Sequence, residues 1–565
     1  MTIIMRKLLF PLLLASVLPL SCSGAAADQK QPVFILLHSR FEDHITTGLG
    51  EMRLFRLLNL IEKLRKEYPQ YPVTVSCEFS GAFVQQFTKR PAGQAYLDRF
   101  KELAKSGAVD VGYIGENEPT YRNRPKLNLT PEMTPEQRWL AETTVAERFL
   151  NDYKDLLTGD PDASKPGALR AVREILGDPT ILGAFAPQLG GEAPYYHQLR
   201  RLNIRAVVPG FFDPYFLMNI HGYRAVAGEL SKDLAPTPES SPELFWDSGF
   251  LRASLTDTAD VRRVLAEESK DTLSKLLDQL DRSHVRIIQV EVAGYSRYLN
   301  KWEDGTPKLY PLVWAYDHPE YPGVPNGIKA FDSDANIAKS FVQEEATLRW
   351  LLGTFLPANP GSRIVGPKDL LRMAQTPVGT EVTEATLAEA VKDWVARSAT
   401  QPRVLPTFVE AGGKYFSAAD LFQLLASALG GLHNAGKLPE KLRLTDIYGP
   451  IRLDETEETY TTTAYTPGQI AEVASQLAPK LTDQTWRPVP DNAVPAHVEI
   501  SGKKILPAQF LALMVKAYQS PVSTAAIRLP YYNAGTAPGG LFPRQNDKPD
   551  SGHIWTLRPA PLKLD

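Results

Sequence analysis

The feature that most constrains the fold of this chain is an internal duplication in its last third. Residues 405–429 recur as residues 494–518. The identical pairs include Val409/Val498, Glu410/Glu499, Gly413/Gly502, Lys414/Lys503 and Leu424/Leu513. Upstream, residues 382–391 recur as residues 465–474, so the second copy carries a six-residue insertion between its two halves. Two copies of one folding unit are predicted, and duplicated modules commonly bind an extended ligand, because weak contacts on one polymer multiply.

Length and composition indicate a folded protein with more than one domain. The chain has 565 residues, of which 43% are apolar and 22% are charged, and a single core of ordinary size does not extend over that length. The formal net charge is −3. A nucleic-acid partner is therefore not expected, because there is no basic surplus to displace counterions from phosphates.

The N-terminus is typical of an export signal, which we place at residues 1–27. Arg6 and Lys7 precede the apolar run 8–20, which is shorter than the roughly 20 residues that a membrane span needs. Small residues at 25–27 offer a cleavage site, while the stretch that ends in Cys22 is similar to a bacterial lipoprotein box. We expect a secreted, periplasmic or cell-envelope protein with no transmembrane span. Cleavage after residue 27 and a lipid anchor at Cys22 are both open.

From residue 32 to about 355, short apolar runs alternate with amphipathic stretches. The continuous, β-branched runs predict buried strands at 32–38, 71–79, 108–114, 181–186, 204–210, 250–255 and 285–292. The amphipathic stretches predict helices at 49–67, 94–106, 135–156, 166–176, 193–202, 259–281 and 334–355. This alternation predicts an α/β fold with a parallel sheet. The strand count favours an incomplete (β/α)7 barrel over a doubly wound sheet.

The predicted fold class is thus α/β, an incomplete barrel followed by a smaller, mostly helical tandem-repeat region. Residues 356–368 are predicted to form a hinge between them. Each repeat is expected to contain a helix, an irregular crossing, a short strand with a Gly-Lys turn and a second helix. The expected segments are a barrel at 28–360, repeats at 370–450 and 451–525, and a tail at 526–565.

Candidate catalytic and metal-binding residues follow the first, third and last predicted strands, where the sites of parallel α/β folds lie. After the first strand, His38 and His44 are candidate metal ligands and Asp43 is a candidate catalytic acid. Imidazole and carboxylate are the usual ligands of a hydrolytic Zn²⁺, so a divalent metal is a possible cofactor. Glu116 and Glu291 are the other candidate catalytic residues. The alternative is a polar loop and a charged turn that carry no chemistry.

Candidate substrate-binding residues lie in the loops that follow the strands. They are Glu118, Gln188, Glu192, Tyr195 and Trp302. Aromatic side chains over a barrel mouth suit the faces of sugars, although aromatic residues more often simply pack. The sequence has no glycine-rich phosphate loop, GxSxG, HExxH or paired CxxC motif. Nucleotide hydrolysis, serine hydrolase chemistry and structural zinc are therefore disfavoured.

The order of these strand-end motifs resembles that of the polysaccharide deacetylase and family 57 glycoside hydrolase superfamily. His38 and the stretches 75–87, 107–119, 199–210 and 287–295 carry the resemblance. It implies a (β/α)7 barrel that acts on polysaccharides or on their N-acetyl groups. The chain departs from the family in two respects. Residues 113–118 contain no counterpart of the deacetylase HxxxH motif, and glutamines stand nearest the two catalytic carboxylates of family 57, at Gln188 and Gln289.

The duplicated segments resemble pseudomurein-binding repeats, and residues 494–518 are the closer match. The resemblance implies attachment to cell-wall polymers, whereas the alternative is a helical packing module with no glycan contact. Together, these patterns lead us to expect an exported carbohydrate-active hydrolase, either a glycosidase or a polysaccharide N-deacetylase, held on an envelope glycan by its repeats. A catalytically inactive barrel that binds the glycan is the alternative.

Overall fold

The structure of the protein is a computed structural model. It describes the first and last parts of the predicted barrel and most of the duplicated region. The described residues are 30–41, 47–113, 168–177, 286–292, 344–373, 376–400, 405–450 and 463–530, with short stretches between 130 and 282, residue 342 and parts of 555–564.

The N-terminal part is built on a predominantly parallel β-sheet. Its strands are β1 (Val33–Phe41), β2 (Val75–Phe79), β3 (Val109–Tyr113), β4 (Ile181–Leu182), β5 (Ala206–Val207), β6 (Met218–Asn219), β7 (Arg224–Ala225), β8 (Phe250–Arg252), β9 (Arg286–Glu291) and β10 (Arg363–Ile364). The order is β7-β6-β5-β4-β3-β2-β1-β9-β8, and β10 pairs with β1. Only β5–β6 and β6–β7 are antiparallel pairs among these. The predicted α/β class with a parallel sheet is confirmed, and each of the seven predicted strands overlaps an observed one.

Helices connect these strands as the amphipathic pattern predicts. They are α1 (Thr47–Glu67), α2 (Gly81–Phe87), α3 (Gly93–Lys105) and α4 (Ala168–Leu176). In α3, Leu97 and Phe100 lie one turn apart and are buried. Helix α2 was not predicted, because it follows β2 after a single residue, Ser80, within one apolar stretch. No helix in the described part of the chain is long and apolar enough to cross a membrane.

Aromatic side chains fill the space between the sheet and these helices. The rings of Phe41 and Phe79, on neighbouring strands, stack with their centroids 5.0 Å apart. Phe100 of α3 meets Phe79 edge-on at 5.1 Å, and Phe83 of α2 stacks on Phe87 at 5.0 Å. All five rings are fully buried, so this cluster fixes the helices to one face of the sheet.

Residues 356–368, predicted as a hinge, instead complete the sheet. The main-chain N–H of Val33 donates to Ser362 Oγ at 2.9 Å, and the N–H of Val365 donates to the Ile35 carbonyl at 3.0 Å. Strand β2 begins to pair with β1 only at Leu37. Strand β10 therefore satisfies the backbone groups at the start of β1 that β2 does not reach.

The duplicated region contains two copies of the same series of elements. Copy 1 consists of β11 (Glu381–Thr383), α6 (Glu384–Thr400), β12 (Phe408–Ala411), β13 (Lys414–Ser417) and α7 (Ala418–Ala435). Copy 2 consists of β15 (Ala464–Tyr465), α8 (Pro467–Thr482), β16 (Val498–Ile500), β17 (Lys503–Ile505) and α9 (Pro507–Gln519). Three further elements are α5 (Pro367–Met373), β14 (Lys441–Arg443), which pairs with β11, and β18 (Ile527–Arg528), which pairs with β15.

Each predicted Gly-Lys turn lies in a tight hairpin. In copy 1 the turn residues Gly412 and Gly413 have φ of 56° and 69°, and in copy 2 Ser501 and Gly502 have φ of 51° and 73°. Positive φ at both central residues is what a two-residue hairpin turn requires. The hairpin turn is therefore preserved in both copies although Gly412 is replaced by Ser501.

The two copies share one hydrophobic core and are not independently folded domains. The core contains buried side chains from α6, α7, α8 and α9 together. Helices α7 and α8 cross very closely at Gly430, where an added Cβ would lie 3.0 Å from the Cα of Ser475. Since the tightest packing is between copies, neither copy buries its apolar face without the other.

Residues from the predicted tail are also part of this unit. Trp555, Thr556 and Arg558 are fully buried. The Arg558 guanidinium is paired with the buried carboxylate of Asp420 and donates to Thr376 Oγ1 at 2.9 Å. A buried ion pair of this kind is strongly destabilised when one partner is lost, so these tail residues belong to the folded C-terminal unit.

The Gly430 crossing gives a testable prediction about stability. Gly430→Gln introduces the residue found at the matching position of copy 2 and forces α7 away from α8, so we expect the free energy of unfolding to fall by about 1–3 kcal/mol. Gly468→Gln is the matched control, because an added Cβ at Gly468 meets only Thr466 Oγ1, at 3.9 Å. Urea unfolding measures both variants. Equal stability of the two would contradict the close crossing.

Candidate functional site

A line of buried polar side chains crosses the middle of the parallel sheet. His38 on β1 is the register partner of Ser76 on β2, and Ser76 is the register partner of Asp110 on β3. In-register residues of parallel strands lie on the same face, and so does Glu78, two residues beyond Ser76. On the other edge of β1, the register partner of His38 is Glu291 on β9. Three adjacent strands thus present polar side chains on one face at the same level.

The alternation of the sequence explains why this face is polar. In β2 the residues Val75, Cys77 and Phe79 alternate with Ser76 and Glu78. Successive side chains of a strand point to opposite faces, so the apolar set packs under the helices and the polar set lies on the other face. All five side chains are at most 1% exposed. Both faces of this strand are therefore covered.

His38 and Glu78 form the central pair of this polar line. Nδ1 of His38 lies 3.9 Å from Oε1 of Glu78, which is an ion-pair distance when the imidazole is protonated and is too long for a direct hydrogen bond. Ser76 Oγ, on β2 beside His38 and two residues before Glu78, is buried without a hydrogen-bond partner in the described structure. Burying such groups costs free energy unless they are paired. The fold thus keeps an imidazole and a carboxylate side by side in its interior.

Asp110, at the end of the line on β3, is held by a cation from α5. Its Oδ1 lies 3.1 Å from Nζ of Lys368. The start of α5 comes this close because residue 366 is glycine, where an added Cβ would lie 2.5 Å from Asp110 Oδ2. Burial raises the pKa of the Asp110 carboxyl, and the ammonium of Lys368 opposes that rise.

Cys77 does not belong to the polar line. It lies on the apolar face of β2 and is fully buried. Burial, and next the neighbouring carboxylate of Glu78, raise the pKa of its thiol well above the ordinary range. The thiolate is the nucleophilic form of cysteine, so Cys77 acts as a core residue.

The structure places only two of the sequence-predicted site residues. His38 is described with its side chain, and Glu291 is described by its backbone, in register with His38. The others lie outside the described residues: Asp43, His44, Glu116, Glu118, Gln188, Glu192, Tyr195 and Trp302. Sequence reasoning missed Ser76, Glu78 and Asp110. In the sequence these three polar residues alternate with apolar residues inside two predicted strands, and that alternation marks them as facing the other side of the sheet. Their position beside His38 depends on which strands are neighbours, which the sequence pattern does not show.

The described residues do not by themselves complete a metal site. A catalytic zinc needs three protein ligands, and the described part of the chain contains no cluster of three or more His, Cys, Asp or Glu side chains that fits one. His38 is of a ligand type, and the Glu78 carboxylate lies beside it, with Oε1 3.9 Å from Nδ1. The expected partners Asp43 and His44 lie outside the described residues.

Comparisons with known proteins do not assign this arrangement to a family. No protein-family model matches the chain, and no curated protein matches it. The polar line on the sheet and the duplicated C-terminal unit are therefore the features from which a function is inferred.

Asp110 gives a prediction about pH. Because its folded-state pKa is raised above the ordinary value, the folded protein holds this proton more tightly than the unfolded chain does, so the contribution to stability falls as pH rises above about 4. Asp110→Asn removes that fall. The free energy of unfolding of the variant, minus that of the wild type, should rise with pH and then level off.

Urea titrations from pH 3.5 to pH 7.5 measure this difference. Lys368→Gln is the companion variant, because it removes the cation that lowers the pKa of Asp110 and should make the pH-dependent loss larger. A difference that decreases with pH would mean that the ion pair with Lys368 outweighs burial.

Proposed function

We propose that the protein is an exported carbohydrate-active hydrolase that its C-terminal repeats hold on an envelope glycan. Its chemistry takes place on the polar face of the parallel sheet. The single observation that supports this most is the buried pair of His38 and Glu78, 3.9 Å apart. Glu78 is the penultimate residue of β2 and His38 lies in the second half of β1. The carboxyl ends of parallel strands are where the sites of open and barrel-shaped α/β sheets lie.

The finer architecture that goes with this proposal is an incomplete (β/α)7 barrel. It is supported by the seven predicted strands, which include the consecutive parallel run from β8 through β9, β1, β2, β3 and β4 to β5. The resemblance of the strand-end motifs to polysaccharide deacetylases and family 57 glycoside hydrolases supports it further. In such a barrel the polar face of β1, β2 and β3 would be the interior face.

A glycosidase mechanism would assign complementary roles to the carboxylates of this face. Glycoside hydrolysis uses two carboxyl groups about 5–10 Å apart, one as acid and the other as base or nucleophile. Glu78 and Glu291 are on β2 and β9, which flank β1, and Glu78 lies two residues beyond the level of Glu291. Two strand spacings and this offset put the two backbones about 12 Å apart, so both side chains would have to extend toward His38 to bring the carboxyl groups within that range. His38, between them on β1, would exchange a proton with Glu78. Asp43 and Glu116 stay as predicted catalytic residues on the loops.

A polysaccharide N-deacetylase mechanism would place His38 in a different role. His38, His44 and Asp43 would hold a divalent metal, and a bound Zn²⁺ would supply an activated water for attack on the amide. Glu78, beside His38, would orient the imidazole as a carboxylate partner commonly does for a metal-bound histidine. The predicted loop residues Glu118, Gln188, Glu192, Tyr195 and Trp302 would bind the polymer in either mechanism.

The second candidate function is glycan binding without catalysis. Two observations favour it: the side chains of His38 and Glu78 are each at most 1% exposed, and Asp110 is engaged by Lys368. In this function the covered groups would shape the sheet and would not touch the glycan. The glutamines at positions 188 and 289, nearest the catalytic carboxylates of family 57, point in the same direction.

Substitution of the central pair distinguishes the two functions. His38→Gln and Glu78→Gln keep approximate size and remove the titrating group, so the hydrolase proposal predicts that either lowers turnover by about 10²- to 10⁴-fold. His433→Gln and Glu102→Gln change the same residue types on the exposed surface and should leave turnover unchanged. The measurement is release of acetate and of reducing sugar from acetylated cell-wall glycans, with and without added Zn²⁺.

Two outcomes would contradict the hydrolase proposal. Wild-type protein that releases neither acetate nor reducing sugar, yet sediments with the wall, would favour the binding function. Full activity in both His38→Gln and Glu78→Gln would remove the pair from the chemistry. Urea midpoints of the four variants separate a loss of turnover from a loss of the fold.

A further inference from the structure

Because the C-terminal unit is a duplication, the second helix of each copy has a counterpart in the other copy, and so has the first helix. Two contacts between copies are therefore formed by matching segments of the sequence. At the first, α7 of copy 1 meets α8 of copy 2. At the second, α9 of copy 2 meets α6 of copy 1, where the Tyr518 hydroxyl donates to the Glu384 carbonyl at 3.3 Å. A symmetric pair of copies would pack both crossings alike.

The first crossing is closed by small residues. An added Cβ on Gly430 would lie 3.0 Å from Ser475 Cα and 3.5 Å from the Ala474 carbonyl oxygen. The absence of a side chain at Gly430 therefore lets the two helix backbones approach. No ligand-sized space is left between Gly430 and Ser475.

The second crossing carries larger residues at the matching positions and is open. Continuing the alignment of the copies by one residue pairs Gly430 with Gln519 and Ser475 with Lys392, while Ala474 is paired with Val391. Lys392 and Gln519 are exposed here, and neither is a small residue that would let the two backbones approach as Gly430 and Ser475 do. The resulting cleft has a volume of about 340 Å³ and is lined by Ala388, Val391, Lys392, Val395, Tyr518 and Gln519. That volume is within the range of small-molecule sites, about 300–1,000 Å³.

The lining of the cleft combines an apolar wall with polar groups at its rim. Val391 is buried and Val395 is 38% exposed, so the wall offers hydrocarbon surface. Lys392 and Gln519 are exposed, and no hydrogen bond or ion pair joins Lys392 to another residue in the described part of the chain. The cleft therefore holds a cation whose charge is not neutralised within that part.

The two ends of the cleft carry opposite charges. Glu384 is at the start of α6, and burial followed by its carboxylate raises the pKa of the Tyr518 hydroxyl. Lys392 lies eight residues further along the same helix, a distance of about 12 Å at the rise of an α-helix. An anionic group would be repelled at the Glu384 end and attracted at the Lys392 end.

We propose that this cleft is the polymer-binding site of the C-terminal unit and that it takes a sugar residue carrying a carboxylate. The carboxylate pairs with Lys392, the C–H face of the ring lies on Val391 and Val395, and the Gln519 amide bonds a hydroxyl or acyl oxygen. The inference rests on the proposed attachment of this unit to an envelope glycan and adds the class of sugar.

A consequence is that, among the described residues, the cleft forms at one of the two crossings and not at the other. The matching crossing is filled by Gly430 packed on Ser475, so the second copy of the cleft is closed. The sequence alone leads to the expectation that two copies bind a polymer at two points. On this proposal the two copies build one shared core and bind the polymer at the crossing that stayed open.

The test is calorimetric binding of a glucuronate-containing tetrasaccharide, and of the same tetrasaccharide after reduction of its carboxyl groups, to the full-length protein. Lys392→Gln should weaken binding of the acidic probe by about fivefold, the effect of losing an exposed ion pair. Ala388→Phe fills the cleft and should weaken binding more than tenfold. Lys414→Gln and Ala396→Phe are the matched controls on other exposed surfaces and should bind as the wild type does.

The outcomes separate this inference from the proposed function when sedimentation with cell-wall glycan is measured in parallel. Equal affinity for the acidic and reduced probes, no binding of either, or no effect of Lys392→Gln and Ala388→Phe would overturn the carboxylate cleft. If the wild type still sediments with the wall in that case, attachment itself stands. Binding of the acidic probe through Lys392 without sedimentation would support the cleft and refute attachment.

Discussion

Strand β1 is the constraint on which the N-terminal architecture depends. It pairs with β9 along one edge and with β2 and β10 along the other, so its position fixes three further strands. Its sequence changes from apolar to polar at His38, in the buried middle of the sheet. Strand β2 places Glu78 beside this imidazole, with Oε1 3.9 Å from Nδ1. The order and register of the strands therefore determine which polar groups lie next to His38.

In the C-terminal unit the corresponding constraint is the closeness of two helix backbones. Gly430 permits α7 to lie directly on α8, and the buried pair of Arg558 with Asp420 ties the end of the chain to α7. Copies that began as equivalents have diverged at this contact, with glycine in one and Gln519 in the other. One crossing supplies stability and the other a cleft. A division of this kind lets a duplicated unit fold tightly and still present a ligand-sized surface.

Hydrophobic patterns in the sequence predicted seven of the ten strands of the sheet and helices α1, α3 and α4, because a strand buried on both faces reads as a continuous apolar run. They did not predict β6, β7 or β10. Arg363–Ile364, for example, has no period of its own and becomes a strand only against the start of β1. Nor did they predict that Ser76, Glu78 and Asp110 lie beside His38. That neighbourhood depends on lateral strand order and register, which are properties of distant segments.

The claim that His38 and Glu78 are maintained for chemistry is tested most directly by the stability of a variant that replaces both with methionine. Apolar residues of similar volume in place of a buried charged pair commonly leave stability unchanged or raise it by about 1–4 kcal/mol. A catalytic pair predicts that result in the free energy of unfolding, together with loss of hydrolysis. A double variant that loses several kcal/mol and still hydrolyses glycan would show that the pair is structural.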